Sequence, residues 1–416
     1  MSLGPAYRRL WTASALSNLA DGIFQVALPL LALRLTDSPG LVAGVALAGR
    51  LPWLLFVLQA GALADRLDRR RTMINVDLAR AAVLGALAAA IVLGHEQLWL
   101  LYVVAFTLGV FETLFDTAAQ SIMPAIVERD ALSRANGRLY AAELTMNQFV
   151  GPPLGGLLAA AAMAAGFATS AACYLGAAGA MAVMAMPSRT PRARHARRPM
   201  RAEIAEGLRY LYHHRLLRRF AAMVGLMNFI SFAVFAVLPV YAVEPGRLGL
   251  SEAEYGLLIT SAAFGSLIGS LAAGRLEARF GRRPLLVLAA CSAPLYGAVA
   301  VANVPFIVVT LFVVGATGVV WNVITVSLRQ RIVPDRLLGR LNAAYRLLAW
   351  GTMPIGALFG GVLAEVVGLQ STFLVCSALG FVLVPLGLGI TEAAIAAAEA
   401  EAETGPGAEI AAPAQG

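Results

Sequence analysis

The sequence contains no lysine, and charged residues of any kind fill only 13% of its 416 positions. Soluble domains are about a quarter charged and about half apolar, whereas 59% of this chain is hydrophobic. Its mean hydropathy is +0.75. This composition excludes an ordinary soluble domain. It indicates a protein that crosses a membrane many times, since each span needs roughly 20 apolar residues.

Residues that hold disulfides, metals or nucleotides are also scarce. The three cysteines, Cys173, Cys291 and Cys376, lie far apart in apolar segments, so no disulfide framework is predicted. His213 and His214 have no cysteine or carboxylate nearby that would complete a metal site. The sequence has no GxxxxGK[ST] loop and no readable set of nucleophile, base and oxyanion donors. We therefore predict no enzyme activity, no metal and no cofactor.

Windowed hydropathy divides the apolar sequence into twelve spans. The predicted architecture is an all-α membrane protein with six-helix bundles at 1–187 and 217–391. A cytoplasmic linker at 188–216 joins them, and an Ala/Glu-rich tail at 392–416 is predicted to be disordered. The twelve spans are 9–34, 41–62, 73–94, 97–121, 138–163, 167–187, 217–243, 252–275, 284–302, 304–328, 342–365 and 370–391.

The linker contains a stretch, 200–216, that predicts a helix with one apolar face. Ile204, Leu208, Leu211 and Leu216 fall near the same side of that helix. An amphipathic helix of this kind suits the inner face of a bilayer. A simple linker helix explains the same pattern equally well.

The arginines predict the orientation of the spans. Most of the 32 basic residues lie at the amino terminus and in every second loop after it, whereas the opposite loops contain only Arg247. Because arginine-rich loops stay in the cytoplasm, both termini are predicted to be cytoplasmic, with the chain in the inner membrane. The net charge of +8 therefore reflects topology. We predict a monomer in contact with the lipid bilayer and no nucleic-acid partner.

Two pairs of similar segments indicate that the second half of the chain repeats the first. GALADRLDRR at 61–70 aligns with GRLEARFGRR at 274–283, and VERDALSRANG at 127–137 aligns with VPDRLLGRLNA at 333–343. Six spans followed by six similar spans predict two bundles related by a pseudo-two-fold axis along the membrane normal. Such bundles can rock about a central cavity, which is the geometry of alternating access.

The first pair resembles the signature loop of the major facilitator superfamily, G-x-L-x-D-R-x-G-R-R. Asp68 stands where that loop has its second glycine, and Ala278 stands where the second copy would have its acid. GPPLGG in span five is similar to the second half of an antiporter-associated motif of the superfamily, with Asn147 in place of its earlier glycine. The matching residues are Gly61, Leu63, Asp65, Arg66, Arg69 and Arg70; Gly274, Leu276, Arg279, Gly281, Arg282 and Arg283; and Gly151, Pro152, Gly155 and Gly156.

Longer stretches resemble one exporter branch of that superfamily, which has enterobactin-exporter-like and macrolide-efflux-like members. They are SNLADGIFQVALPLLAL, RLPWLLFVLQAGALADRLDRRR and LLGRLNAAYRLLAWGTMPIGALFGG, and the likeness covers nearly all of 5–391. The resemblance implies secondary export of a small molecule. It also implies that the signature loop, with Asp65 as its acid, latches the two bundles on the cytoplasmic side and releases when the cavity opens inward.

We single out five ionisable residues at membrane depth, where charge is costly and therefore marks candidate functional sites. Desolvation favours a neutral carboxyl group and a nearby guanidinium favours a carboxylate, so a change in access can bind and release a proton. We predict proton-coupled antiport, with Asp21 as the leading proton-binding group and Arg50 as its partner. The alternative is an Asp21–Arg50 pair that only locks helices together. The five candidates are Asp21, Arg50, Glu112, Asp116 and Glu143.

The apolar surplus favours an amphipathic organic substrate, a drug or siderophore-like metabolite, over a sugar or a small ion. Polar and aromatic residues within the spans either line its cavity or hydrogen-bond helices to one another. An importer, a lipid transporter, and a sensor or scaffold without transport are alternatives on the same fold. The candidate cavity residues are Asn18, Gln25, Asn147, Gln148, Asn228, Trp321 and Asn322.

Overall fold

The computed structural model describes residues 4–64, 68–127, 131–184 and 200–404, and these residues are almost entirely helical. Over the described residues, every predicted span falls on one helix or on two or three consecutive helical pieces. In the described part of the chain, ten helical stretches are long and apolar enough to cross a bilayer. The helices are α1 (Gly4–Leu35), α2 (Pro39–Ala64), α3 (Arg69–Val92), α4 (Leu98–Ile126), α5 (Leu132–Leu144), α6 (Gly151–Ala161), α7 (Met163–Ala182), α8 (Met200–His213), α9 (Arg215–Ala242), α10 (Glu252–Phe280), α11 (Arg282–Ser292), α12 (Val304–Ile332), α13 (Asp335–Val367), α14 (Leu369–Phe381), α15 (Leu383–Leu388) and α16 (Glu392–Thr404).

Two spans change their helical geometry part-way. In span five, the π-helical segment Thr145–Val150 joins α5 to α6, and in span nine the 3-10 segment Ala293–Val301 continues α11. Both changes occur next to proline, at Pro152 and at Pro294. A proline ring removes one amide donor and displaces the carbonyl of the preceding turn, so the local hydrogen-bond register shifts.

The helices pack into two compact units that do not coincide with the two halves of the sequence. The first unit holds the described residues up to 184 together with Phe235–Ala263 and Ala357–Val366. The second unit holds the remaining described residues. The first unit therefore includes the end of α9, the start of α10 and the end of α13.

Polar contacts explain why segments of the second half belong to the first unit. At the end of α1, Arg34 Nη2 lies 2.8 Å from Glu252 Oε1 at the start of α10. At the end of α13, Glu365 Oε1 accepts hydrogen bonds from the Gly40 amide, at 3.1 Å, and from the Ser38 hydroxyl. These contacts fix α10 and α13 to the ends of α1 and α2.

The internal repeat is visible as equivalent contacts within each unit. Arg70 donates through Nε to the carbonyl oxygen of Met181 at 2.9 Å, and Arg283, its counterpart in the second copy, donates through Nε to that of Ile390 at 2.9 Å. Both carbonyls lie at the carboxyl end of a helical span, where a cation is favoured. A second pair of equivalent contacts joins Arg9 to the Val183 carbonyl and Arg219 to the Gly389 carbonyl.

The prediction of a disordered tail is wrong for Glu392–Thr404, which form α16. Alanine and glutamate have high helix propensity. Glu399 Oε1 also accepts a hydrogen bond from Arg282 Nη1 at 2.8 Å and lies 3.6 Å from Arg331 Nη1. The acids of the tail therefore attach the helix to arginines of the second unit. Residues 405–416 lie outside the described residues.

The linker contains the predicted helix, as α8, and this helix packs on α13. A Cβ added to Gly207 would lie 2.3 Å from the carbonyl oxygen of Arg340. The side chain of Glu206 accepts a hydrogen bond from Arg340 Nη1 at 2.5 Å. Leu211 is buried, as its place on the apolar face predicts. The side chain of Ile204 falls outside the described part of the chain.

Candidate functional site

A cluster of buried charges lies within the first unit, where α1 and α3 both pack against α7. Arg80 and Asp77, both on α3, have side chains that are only 1% and 0% exposed. Nη1 of Arg80 lies 3.8 Å from Asp77 Oδ1 and 4.0 Å from Oδ1 of Asp21 on α1. Two carboxyl groups therefore share one guanidinium in an apolar bundle, where buried charges are costly unless they are paired.

Hydrogen bonds and an aromatic ring also contact the charged groups of the cluster. Tyr174 of α7 donates its hydroxyl to Asp21 Oδ1 at 2.5 Å, and Ser17 Oγ donates to Asp77 Oδ1 at 3.4 Å. The guanidinium carbon of Arg80 lies 5.2 Å from the ring centre of Tyr174, which is within the range of a cation–π contact. Asp77 Oδ2 and both Nε and Nη2 of Arg80 have no hydrogen-bond partner among the described residues. The network is thus incomplete and can take up a further donor or acceptor.

Asp21 is the most accessible member of this cluster. Its side chain is 21% exposed, whereas those of Asp77 and Arg80 are almost completely buried. Of the three charged side chains, Asp21 therefore presents the most surface to other molecules. Asp77 and Arg80, both on α3, are the buried charged residues of the cluster.

The partner of Asp21 differs from the one expected from the sequence. The guanidinium at ion-pair distance from Asp21 belongs to Arg80, while Arg50 Nη1 lies 3.5 Å from Glu112 Oε1. Both side chains of the Arg50–Glu112 pair are close to 30% exposed. This correction has a simple cause: α2 packs on α4, and that packing brings Arg50 to Glu112.

Asp77 and Arg80 are not among the residues singled out from the sequence, although both lie inside the predicted span 73–94. Their signal was an acid and a base three positions apart in an apolar stretch, which places them on one face of a helix. The rule that identifies Asp21, that charge at membrane depth is costly, applies to them equally.

The GPPLGG segment packs α6 directly against the part of α1 that carries Asp21. A Cβ added to Gly151 would lie 2.5 Å from Gly22 Cα, and one added to Gly155 would lie 2.7 Å from the Ile23 carbonyl oxygen. A Cβ on Gly22 would itself lie 2.5 Å from the carbonyl oxygen of Asn147, in the π-helical segment. Backbone meets backbone here, so only glycine fits.

Two further residues of the segment, Pro152 and Gly156, contact α10. A Cβ added to Gly156 would lie 2.5 Å from the Glu252 carbonyl oxygen, and one added to Gly256 would lie 2.5 Å from that of Pro152. The antiporter-like motif is therefore a close-packing surface for two helices.

We predict that Gly151→Leu displaces α6 from α1 and lowers the amount of folded protein. Overpacking of this kind costs about 1–3 kcal/mol and often more where backbone is contacted. Gly137→Leu in the preceding helix is the matched control, because nothing lies within 4 Å of a Cβ added there. Thermal melting of the purified proteins measures both. Equal melting temperatures for Gly151→Leu and the wild type would contradict the close packing.

Most of the remaining cavity candidates hydrogen-bond or pack within their own unit. Gln25 donates to Asn147 Oδ1 at 3.4 Å, Asn18 donates to the Ser14 carbonyl at 2.8 Å, and Asn228 donates to the Ala349 carbonyl at 2.7 Å. Trp321 is buried against Phe220, with ring centres 5.7 Å apart. The side chain of Asp116 lies outside the described residues. The exposed candidates are Gln25, Glu143, Gln148 and Asn322.

The two copies of the loop motif begin their following helices in different ways. In the first, Asp68 caps α3 by accepting a hydrogen bond from the Arg71 amide at 2.8 Å. In the second, Gly281 precedes α11 with a φ of +78°, which favours glycine. Asp65 and Arg66 lie outside the described residues, so the latch assigned to Asp65 stays a prediction.

Comparison with known proteins identifies the family. The family model MFS_3, described as a transmembrane secretion effector, matches residues 4–411. The chain belongs to this family. It is therefore a transporter of the major facilitator superfamily, which confirms the resemblance seen in the sequence and the prediction that the chain is not an enzyme.

Similar proteins cover nearly the whole chain. The multidrug efflux pump Tap of Mycobacterium tuberculosis is 30% identical over 382 residues, which are 89% of this chain and 90% of Tap. The enterobactin exporter EntS of Shigella boydii is 28% identical over 395 residues, 92% of this chain and 90% of EntS. Both belong to the efflux branch that the sequence resembles.

A solved structure confirms the fold class. A variant of the nucleoside transporter NupG superposes with a TM-score of 0.74 and covers 92% of this chain and 99% of its own. Only 10% of residues are identical, so this similarity supports the fold and not the function.

Proposed function

We propose that the chain is a proton-coupled antiporter that exports an amphipathic small molecule by alternating access. Two relatives support the direction and the class of substrate: Tap is a multidrug efflux pump and EntS exports enterobactin. The arginine-rich alternate loops support an inner-membrane protein with both termini in the cytoplasm.

The observation that carries proton coupling is the charge balance of the buried cluster. Asp21 and Asp77 share the guanidinium of Arg80. When both carboxyl groups are ionised, one negative charge is left without a partner in an apolar surrounding. A proton on Asp21, the accessible carboxyl, makes the cluster neutral. Arg80 then forms its ion pair with Asp77 alone. Proton binding and release therefore change the charge that a substrate meets.

Asp21 and the residues around it have different roles in this mechanism. Asp21 holds and releases the proton. Tyr174 donates to Oδ1 and orients the carboxyl group. Arg80 stands between the two acids, and its unused donors can follow whichever carboxyl group is ionised. The close packing of α6 on Gly22 transmits movement of α1 at this position to span five.

Opening toward the outside requires other contacts to break. The Arg34–Glu252 ion pair and the hydrogen bonds on Glu365 join ends of spans that the topology places on the outer face. Glu365 is exposed, whereas the Glu252 side chain is only 16% exposed and accepts hydrogen bonds from both Nε and Nη2 of Arg34. In this mechanism these contacts form when the outer side closes and break when it opens.

The direct test is accumulation of a panel of dyes and drugs in cells with and without the protein, before and after a protonophore collapses the proton gradient. We expect at least one amphipathic compound to accumulate less when the protein is present, and the difference to vanish with the protonophore. Enhanced uptake would reverse the direction. A difference that survives gradient collapse would exclude proton coupling.

A further inference from the structure

The second unit contains a cavity of about 890 Å³ between the linker helix α8, α9 and α13. Its volume lies in the range of small-molecule sites, roughly 300–1,000 Å³. The walls are almost entirely apolar. They include Leu208 and Leu211 of α8, Leu226 and Phe229 of α9, and Leu348 of α13.

The rim of the cavity is basic. Arg209, His213 and Arg218 are its basic lining residues, and all three are exposed. Arg218 is held in place because Nη1 donates to the Tyr212 carbonyl at 2.8 Å and the guanidinium carbon lies 5.2 Å from the Tyr212 ring centre. The acid nearest in sequence, Glu206, is engaged by an arginine of α13.

We propose that this cavity binds an anionic phospholipid of the inner leaflet. An apolar wall fits an acyl chain, and arginines at its edge fit a phosphate, which guanidinium groups bind with strong, directional hydrogen bonds. A small inorganic anion would leave the apolar wall without a partner. A zwitterionic phospholipid also carries a phosphate, but its cationic headgroup would lie close to the arginines and be repelled by them, so the basic rim favours a lipid with net negative charge. The inner-leaflet assignment rests on the proposed topology, whereas the binding chemistry does not.

The position of α8 supports this occupant. The helix is amphipathic, and its Glu206 and Gly207 fix it to the start of α13. A lipid chain between α8, α9 and α13 would fill the space that this attachment leaves open. Amphipathic helices with basic residues on the polar face are typical of contacts with anionic leaflets.

Photolabelling tests the proposal on the full-length protein. The purified protein is placed in phosphatidylcholine nanodiscs that contain a small amount of phosphatidylglycerol with a photoreactive acyl chain, and mass spectrometry maps the label. We expect label on Leu226, Phe229 and Leu348. Arg209→Gln and Arg218→Gln are each expected to reduce it about fivefold.

Two further variants separate a specific site from a general surface effect. Arg215→Gln removes another exposed arginine, one that does not line the cavity, and is expected to leave labelling unchanged. Ala222→Trp fills the cavity from an exposed wall position without altering charge and is expected to abolish the label. Melting temperatures confirm that each variant is folded.

Three results would overturn the proposal. The first is labelling by photoreactive phosphatidylcholine that equals labelling by phosphatidylglycerol, because the arginines would then not distinguish an anionic from a zwitterionic lipid. The second is competition by inorganic phosphate, which would make this a free-anion site. The third is wall labelling that persists in Ala222→Trp and in both arginine variants.

Discussion

Arg80→Leu is expected to cause a large loss of stability. It leaves Asp77, which is fully buried, and Asp21 without the guanidinium that they share. Removing one partner of a buried pair costs about 3–5 kcal/mol, because the remaining charge stays in the low-dielectric interior. Thermal melting of the detergent-solubilised protein, together with the yield of folded protein, measures the effect.

A second variant separates lost charge balance from lost packing. Replacing a whole buried ion pair by apolar residues is often neutral, so Asp77→Leu combined with Arg80→Leu should melt well above Arg80→Leu alone. Arg50→Leu is the control, since its pair with Glu112 is partly exposed and its loss should cost far less. An Arg80→Leu protein as stable as the wild type would show that the cluster is not held by this ion pair.

Asp21→Asn is expected to remove the pH dependence of substrate binding while leaving the fold intact. Asparagine keeps the shape of the side chain and can still accept from Tyr174, but it fixes the cluster in its neutral form. Linked binding sites usually change each other's affinity by roughly 5–150-fold. Substrate affinity measured across pH should therefore vary in the wild type and stay flat in the variant.

The control for this variant is Asp37→Asn, which alters an exposed carboxylate in the loop after α1. It should behave as the wild type does at every pH. A pH profile of Asp21→Asn that matches the wild type would assign the proton to another group, and Glu112 would be the next to substitute.

Much of the fold could be predicted because membrane helices leave strong local signals. The twelve apolar stretches follow from bilayer thickness, and the alternating arginine loops follow from the charge rule for orientation. Over the residues that the structure describes, the twelve stretches are helical. The end of the chain was harder to predict. Its Ala/Glu composition is compatible with both disorder and a helix. The hydrogen bond between Glu399 and Arg282, which attaches α16 to the second unit, joins residues that are distant in sequence and could not be read from the tail itself.

The candidate site was only partly predictable for a similar reason. Asp21 could be singled out because a carboxylate in an apolar span is rare. Its partner could not, because the choice between Arg50 and Arg80 depends on which helices pack together. The role of Gly22 was hidden as well: only the structure brings it against Asn147 and Gly151.

Proton movement in proteoliposomes tests coupling through Asp21 most directly. The purified protein is reconstituted with a pH-sensitive dye inside the vesicles, and a gradient of an exported compound is imposed without any initial pH difference. We expect the substrate gradient to move protons in the opposite direction in the wild type and in Asp37→Asn, and no proton movement in Asp21→Asn. Substrate-driven proton movement of equal size in Asp21→Asn, or its absence in the wild type while substrate still crosses, would contradict proton coupling at this cluster.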